Sequence, residues 1–211
     1  MQIAILLFDR FTALDAVGPY DVLSRLPGAH VTFVAEQPGP VGNEVGSLRL
    51  YADAALADVP GPDVIVVPGG PGQNAHMHDG PVQRWLRAAD RNSTWTASVC
   101  TGSLLLAAAG LLTGRRATTH WLCRDDLAPL GAVPVSERVV ADGKYITAAG
   151  VSAGLDMAFT LAGRLGGDIT AQAIQLAHEY EPQPPYQAGN PATAPHAVVQ
   201  AVLARRESIV N

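Results

Sequence analysis

The segment Thr94–Ala109, TWTASVCTGSLLLAAA, decides the fold. Thr94–Val99 reads as a short strand and Thr101–Ala109 as an Ala/Leu helix that Gly110 stops, which leaves Cys100 on the junction. A strand that runs directly into a helix is half of a βαβ unit. The same pattern recurs on both sides. Gln2–Phe8 and Asp63–Pro68 are continuous apolar runs of the kind buried on both faces of a parallel sheet, and His30–Glu36 is a β-branched strand. Helices are expected over Asp15–Arg25 (with Pro19 in the first turn), Pro81–Arg91, Ser152–Leu165, Asp168–His178 and Ala197–Ile209, and a short one over Thr118–Ala128. Glycines between alternating runs predict a hairpin in Val41–Asp53 and another in Ser136–Ala149, around Asp142-Gly143. Glu181–Pro195 reads as a proline-rich loop. Strands alternating with helices give an α/β fold, a mostly parallel sheet sandwiched by helices, in one domain over residues 1–211.

Composition narrows the function. Of 211 residues, 48% are hydrophobic and only 16% charged, against about 25% charged in an average soluble protein. Disorder is therefore not expected. A net charge of −5 argues against a generally basic nucleic-acid binder. The longest apolar stretch, Leu104–Leu112, is too short for a membrane span, and MQIAILLFDR lacks the basic start of a signal peptide. The two cysteines, Cys100 and Cys123, form no Cys-x-x-Cys pair. A cytoplasmic setting is expected, where a free thiol matters for its reactivity.

Open α/β sheets bind ligands at the carboxyl ends of their strands. Three such ends carry distinctive residues. Cys100 lies on a strand-to-helix turn resembling a nucleophile elbow, where the following helix N-terminus should favour the thiolate. The alternative is a buried small hydrophobe. Asp15 follows the first strand; it is either a helix N-cap or, if near Cys100, a general acid/base whose pKa a thiolate would raise. Gly69-Gly70-Pro71-Gly72 follows the third strand; it is either a plain turn or a loop whose exposed N–H groups meet developing negative charge. His76 and His78 form a His-x-His pair with no third ligand, and His178-Glu179 has no second histidine four residues on, so no metal site is expected. Asn92-Ser93-Thr94 is a sequon without a secretory signal, and Cys123 reads as packing.

Together VIVVPGGPG (64–72), SVCTGSLLLAAAGLLTGRRATTHW (98–121) and AAGVSAGLDMA (148–158) resemble the ThiJ/PfpI superfamily, the class I glutamine-amidotransferase-like proteins. The resemblance implies a flavodoxin-like fold with Cys100 as the nucleophile. Many members carry histidine directly after the cysteine and glutamate as partner acid; here Thr101 and Asp15 stand instead. The Asp15/Cys100/Thr101 combination, and the late segment Glu179–Ala194, resemble the isonitrile hydratase group. That likeness implies a small-molecule substrate, R–N≡C, attacked by Cys100 with Asp15 as acid/base and no cofactor. Thr101 and the backbone of Gly70 would orient polar atoms, and Gly70, Gly72, His120 and Trp121, with Tyr186 as a further candidate wall, would contact substrate. His120 could equally be structural. A homodimer is also implied. Two other functions remain open: a non-catalytic small-molecule or redox sensor, since AraC-type regulators share SVCTG and RRATTHW, and a glyoxalase- or deglycase-type enzyme, against which the missing histidine counts.

Overall fold

The computed structural model describes residues 1–210, the side chain of Ser208 excepted. Its strands are β1 (Gln2–Leu6), β2 (His30–Ala35), β3 (Gly39–Gly42), β4 (Arg49–Ala52), β5 (Ala54–Ala55), β6 (Val64–Val67), β7 (Trp95–Ser98), β8 (Arg116–Ala117), β9 (Val133–Pro134), β10 (Val139–Asp142) and β11 (Tyr145–Ala148). The helices are α1 (Ala13–Leu23), α2 (Pro81–Asp90), α3 (Gly102–Ala108), α4 (Ala153–Gly166), α5 (Asp168–Ala177), α6 (His196–Leu203) and α7 (Arg206–Val210). Seven strands form the main sheet in the order β10-β11-β7-β6-β1-β2-β5, all parallel except β10.

The order follows from the sequence. Every residue of β6, and all of β1 after Gln2, is buried, as two-sided coverage demands. In register, Ile3 pairs with Val31 on one side and Val64 on the other. From β1 the chain steps to β2 on one side, then returns to place β6, β7 and β11 on the other. Right-handed crossovers then put α1 and α4 against one another on one face and α2 and α3 on the opposite face. The reversal leaves a crevice beyond the carboxyl ends of β1 and β6, and Asp15, Gly69–Gly72 and Cys100 all follow strands at that end.

Helix α2 shows local pattern becoming packing. Val82, Trp85, Leu86 and Ala89 recur at helical spacing and are its buried apolar face, while Pro81 opens it where a missing N–H is harmless. The Trp85 indole N–H donates to the Val59 carbonyl at 2.8 Å. Asp90 ends the helix and lies buried under the opposite edge of the sheet from the crevice. It accepts from the Thr96 hydroxyl at 2.7 Å and the Tyr145 hydroxyl at 2.9 Å, with the Lys144 ammonium at 3.1 Å. Burial, then Asp90, pushes the Tyr145 phenol up to about 12, so it stays a donor.

Several boundaries differ from the sequence reading. Helix α1 begins two residues early, so Pro19 falls inside it rather than in the first turn and gives the Asp15 carbonyl no helical N–H. Residues 118–128 form no α-helix: a 3₁₀ segment, Trp121–Leu130, runs from a His120 cap through Pro129. The last helix is split into α6 and α7. The β10–β11 turn is centred on Gly143-Lys144, with Asp142 paired to Tyr145, and Gly143 alone carries the positive φ that a type II′ turn needs. No described helix is long and apolar enough to cross a membrane.

Asp90→Ala removes the acceptor of two buried hydroxyls and an ammonium. It should lower unfolding free energy by about 3–5 kcal/mol in urea denaturation. A loss below about 1 kcal/mol would mean that water replaces the carboxylate.

Candidate active site

Cys100 sits at the end of β7 with φ 57°, a conformation uncommon and strained outside glycine. Its geometry is over-determined. Its N–H is shared between the carbonyls of Ala148 (3.2 Å) and Ala149 (3.0 Å), and its own carbonyl accepts from the Thr119 hydroxyl (2.8 Å) and the Ser103 hydroxyl (3.3 Å). The side chain therefore leaves the sheet upward; Cys100 as a whole is 5% exposed, and its sulfur receives hydrogen bonds from the backbone N–H groups of Val151 and Thr101.

Asp15 comes to this sulfur from α1. It is not the helix cap, since Thr12 holds that position. It lies in the first turn, fully buried, and its Oδ2 accepts from the Gly69 N–H at 2.9 Å. Burial is the largest influence on its acidity and pushes the pKa up to about 7; the Gly69 N–H and the Cys100 thiol pull it down, and the charge of Glu44 pushes it up. Oδ1 is shielded from solvent and has no aligned hydrogen-bond partner among the described residues. The thiol itself is held well above its ordinary range, first by burial and then by Asp15, despite the two N–H groups. This corrects two expectations: the helix start does not make Cys100 a resting thiolate, and Asp15 owes its raised pKa to desolvation rather than to a thiolate. The pair rests as a neutral thiol beside a carboxyl poised near neutrality.

The glycine loop works differently from the sequence reading as well. Its N–H groups are not free: Gly69 donates to Asp15, Gly70 to the Thr101 hydroxyl at 3.0 Å, and Gly72 to the Arg10 carbonyl at 3.3 Å. Gly69 must lack a side chain, because a Cβ would stand 2.5 Å from the Thr101 nitrogen and 2.9 Å from the Cys100 Cβ. Gly70 has φ 131° and would drive a Cβ to 2.5 Å from the Arg10 carbonyl. Gly72 packs on Asp9, whose oxygen a Cβ would meet at 1.8 Å. The loop holds Asp15 and Thr101 in place from behind.

Thr101 is 1% exposed and its N–H serves the sulfur, so it supplies its hydroxyl rather than a free N–H. His120 caps the 3₁₀ segment, its Nδ1 accepting from Leu122 N–H at 3.3 Å, and burial holds its pKa low, hence neutral. Its ring presses on Gly150, where a Cβ would lie 2.7 Å from Cδ2, next to the Val151 that donates to the sulfur. Trp121 stands beside it, ring centroids 6.2 Å apart. Tyr186 is exposed in the loop after α5, away from the Asp15–Cys100 pair among the described residues. Cys123 is buried, with its thiol pushed up to about 12 by burial and Asp126. His76 lies 3.6 Å from Glu36, and no three metal-ligating side chains converge among the described residues. Sequence reasoning missed Val151, which has φ 24°, and Thr119. The Gly150-Val151 step at the end of β11 was visible as a strand terminus, but its partner lies about fifty residues away in sequence.

Comparison with known proteins agrees with this architecture. The DJ-1/PfpI family profile matches residues 1–163. An isonitrile hydratase of Pseudomonas putida is 47% identical over 205 residues, covering 97% of this chain and 90% of that protein. The HTH-type transcriptional regulator CdhR of Pseudomonas aeruginosa is 34% identical over 79% of this chain and 50% of its own. The crystal structure of a ThiJ/PfpI family protein from Pseudomonas syringae superposes with a TM-score of 0.94 at 37% identity, over 98% of this chain and 88% of the other. A family profile that covers most of the chain and a relative 47% identical over nearly all of it show that the protein belongs to the DJ-1/PfpI family.

Proposed function

We propose that the protein is a cytoplasmic enzyme that hydrates isonitriles to N-substituted formamides through Cys100. The observation that carries the reading is the Asp15–Cys100 pair: a neutral thiol and a carboxyl of pKa about 7 in contact, shielded from bulk solvent. An isonitrile must gain both a sulfur and a hydrogen on one carbon. A thiol sharing its proton with a carboxylate supplies both. The near-closed site suits the slender terminal carbon of R–N≡C, and the strong likeness to an isonitrile hydratase points the same way.

The Cys100 sulfur bonds to the terminal carbon as Asp15 takes the thiol proton and returns it to that carbon, giving the thioimidate R–N=CH–S. The Thr101 hydroxyl, fixed by Gly70 N–H, has its own hydrogen to offer the nitrogen lone pair that appears at this stage. Water then adds, the nitrogen is protonated, the carbon–sulfur bond breaks and the formamide leaves. Val151 N–H and Thr101 N–H stabilise the departing sulfur. His120 and Trp121 line the approach, and Gly70 and Gly72 act through the shape of their loop. A redox-sensing role draws less support, because a buried neutral thiol reacts slowly with peroxide.

Homodimerisation fits an otherwise unexplained feature. Helix α6, HAVVQAVL, has no buried residue, and its Val198 and Leu203 leave apolar surface exposed, as do Ile169 and Leu176 of α5. A second copy would cover this apolar surface.

Cyclohexyl isocyanide should be converted to the formamide by the wild-type protein, and Cys100→Ala should abolish both turnover and the covalent adduct seen by intact-protein mass spectrometry. Turnover that survives the substitution would refute covalent catalysis. Asp15→Asn should lower kcat/KM about a hundredfold to ten-thousandfold. Because the carboxylate is the form that accepts the thiol proton, wild-type kcat/KM should fall as pH drops through about 7 and stay level above it; a profile flat across that range would exclude Asp15 as the base. Light scattering should give twice the chain mass, and Val198→Asp should shift the protein toward monomer.

A further inference from the structure

Glu44 has no part in the chemistry so far. It lies between β3 and β4, and that hairpin is fastened to the loop leading from β1 to Asp15. Arg10 N–H donates to the Gly42 carbonyl at 2.8 Å, Phe11 and Asn43 form an isolated bridge, and Glu44 N–H donates to the Phe11 carbonyl at 2.9 Å. Asp15 belongs to the turn that follows, its N–H on the Thr12 carbonyl at 3.1 Å. The two carboxylates thus arise from one fastened unit, close enough for the charge of Glu44 to weaken the acidity of Asp15.

Each has one oxygen shielded from solvent that makes no aligned hydrogen bond among the described residues, Asp15 Oδ1 and Glu44 Oε2. Buried polar atoms are nearly always satisfied, often by an internal water. Two orphaned acceptors on neighbouring carboxylates call for an occupant with two hydrogens to donate. They repel an anion and offer nothing to an acceptor. Water is the smallest such occupant, and the second half of the hydration consumes one.

We propose that Glu44 Oε2 and Asp15 Oδ1 hold the hydrolytic water between them, so that Glu44 positions the nucleophile that resolves the thioimidate. The inference rests on the isonitrile-hydrating reading of the site. The water oxygen bonds to the thioimidate carbon while one of its protons passes through Asp15 to the nitrogen, giving R–NH–CH(OH)–S. The carbon–oxygen double bond then forms, the carbon–sulfur bond breaks, and the hydroxyl proton goes to the sulfur. R–NH–CHO and the Cys100 thiol result, with no oxidant or other reactant. Thiol addition uses no water, so Glu44 should matter only to the second half.

The test is Glu44→Gln, assayed with cyclohexyl isocyanide at about pH 8.5, where Asp15 is ionised with or without its neighbour. Intact-protein mass spectrometry after rapid quenching should show the protein-plus-isonitrile adduct forming within about twofold of the wild-type rate, then persisting, with kcat reduced at least about tenfold. Glu44→Asp, which keeps the carboxylate, should recover part of the loss. Unchanged kcat in Glu44→Gln would overturn the proposal, as would equal losses in adduct formation and turnover without accumulation. A wild-type protein that forms neither adduct nor formamide would instead refute the isonitrile reading itself.

Discussion

A carboxylate buried against a thiol is the constraint around which this molecule is arranged. Asp15 is removed from water and keeps one strong donor, the Gly69 N–H. Raising its pKa from 3.8 to about 7 corresponds to about 4 kcal/mol of lost stability once it is ionised. The sign follows from proton binding. Between those values the folded chain holds a proton that the unfolded chain has released, so folding weakens as pH rises through that window and then levels off. A carboxyl kept for structure would be better placed as a cap on solvent-facing N–H groups. Its burial makes sense as pre-organisation for proton transfer.

The remaining parts of the crevice serve that pair. Gly69 and Gly70 bring bare backbone against Thr101, Cys100 and Arg10, where a methyl group would collide with main-chain atoms. Cys100 and Val151 both hold positive φ, of order 1–3 kcal/mol each for residues with side chains. The sheet beneath can hold that strain because β1 and β6 are buried on both faces, with α1 packed on both strands and α3 on β6. Rigidity at the strand ends and neutrality at the sulfur are consequences of the same low-dielectric packing.

Much of this was legible in the sequence because it is local. Two-sided apolar runs gave β1 and β6, and the strand-to-helix step placed Cys100 on its turn. What stayed hidden is either tertiary or a matter of degree. The Asp15–Gly69 bond spans 54 residues and Cys100 meets Val151 across the sheet, pairings that no spacing rule reveals. The thiol pKa was read from the helix start, a local feature, whereas burial and the neighbouring carboxylate outweigh it. The short helix expected over residues 118–128 is replaced by a 3₁₀ segment over Trp121–Leu130, with Pro129 in its last turn and His120 capping its start. Local pattern starts α1 at Asp15 and puts Pro19 in its first turn, whereas the helix begins at Ala13 and carries Pro19 inside it.

The proposed chemistry depends on the ionisation of the pair, and carboxyl-carbon NMR of selectively labelled Asp15, followed across pH with Cys100 thiol reactivity measured in parallel, tests it most directly. The expected result is an Asp15 midpoint near 7 while the thiol remains protonated beyond its ordinary range. An Asp15 midpoint near 4, or a Cys100 thiolate present at neutral pH, would contradict it.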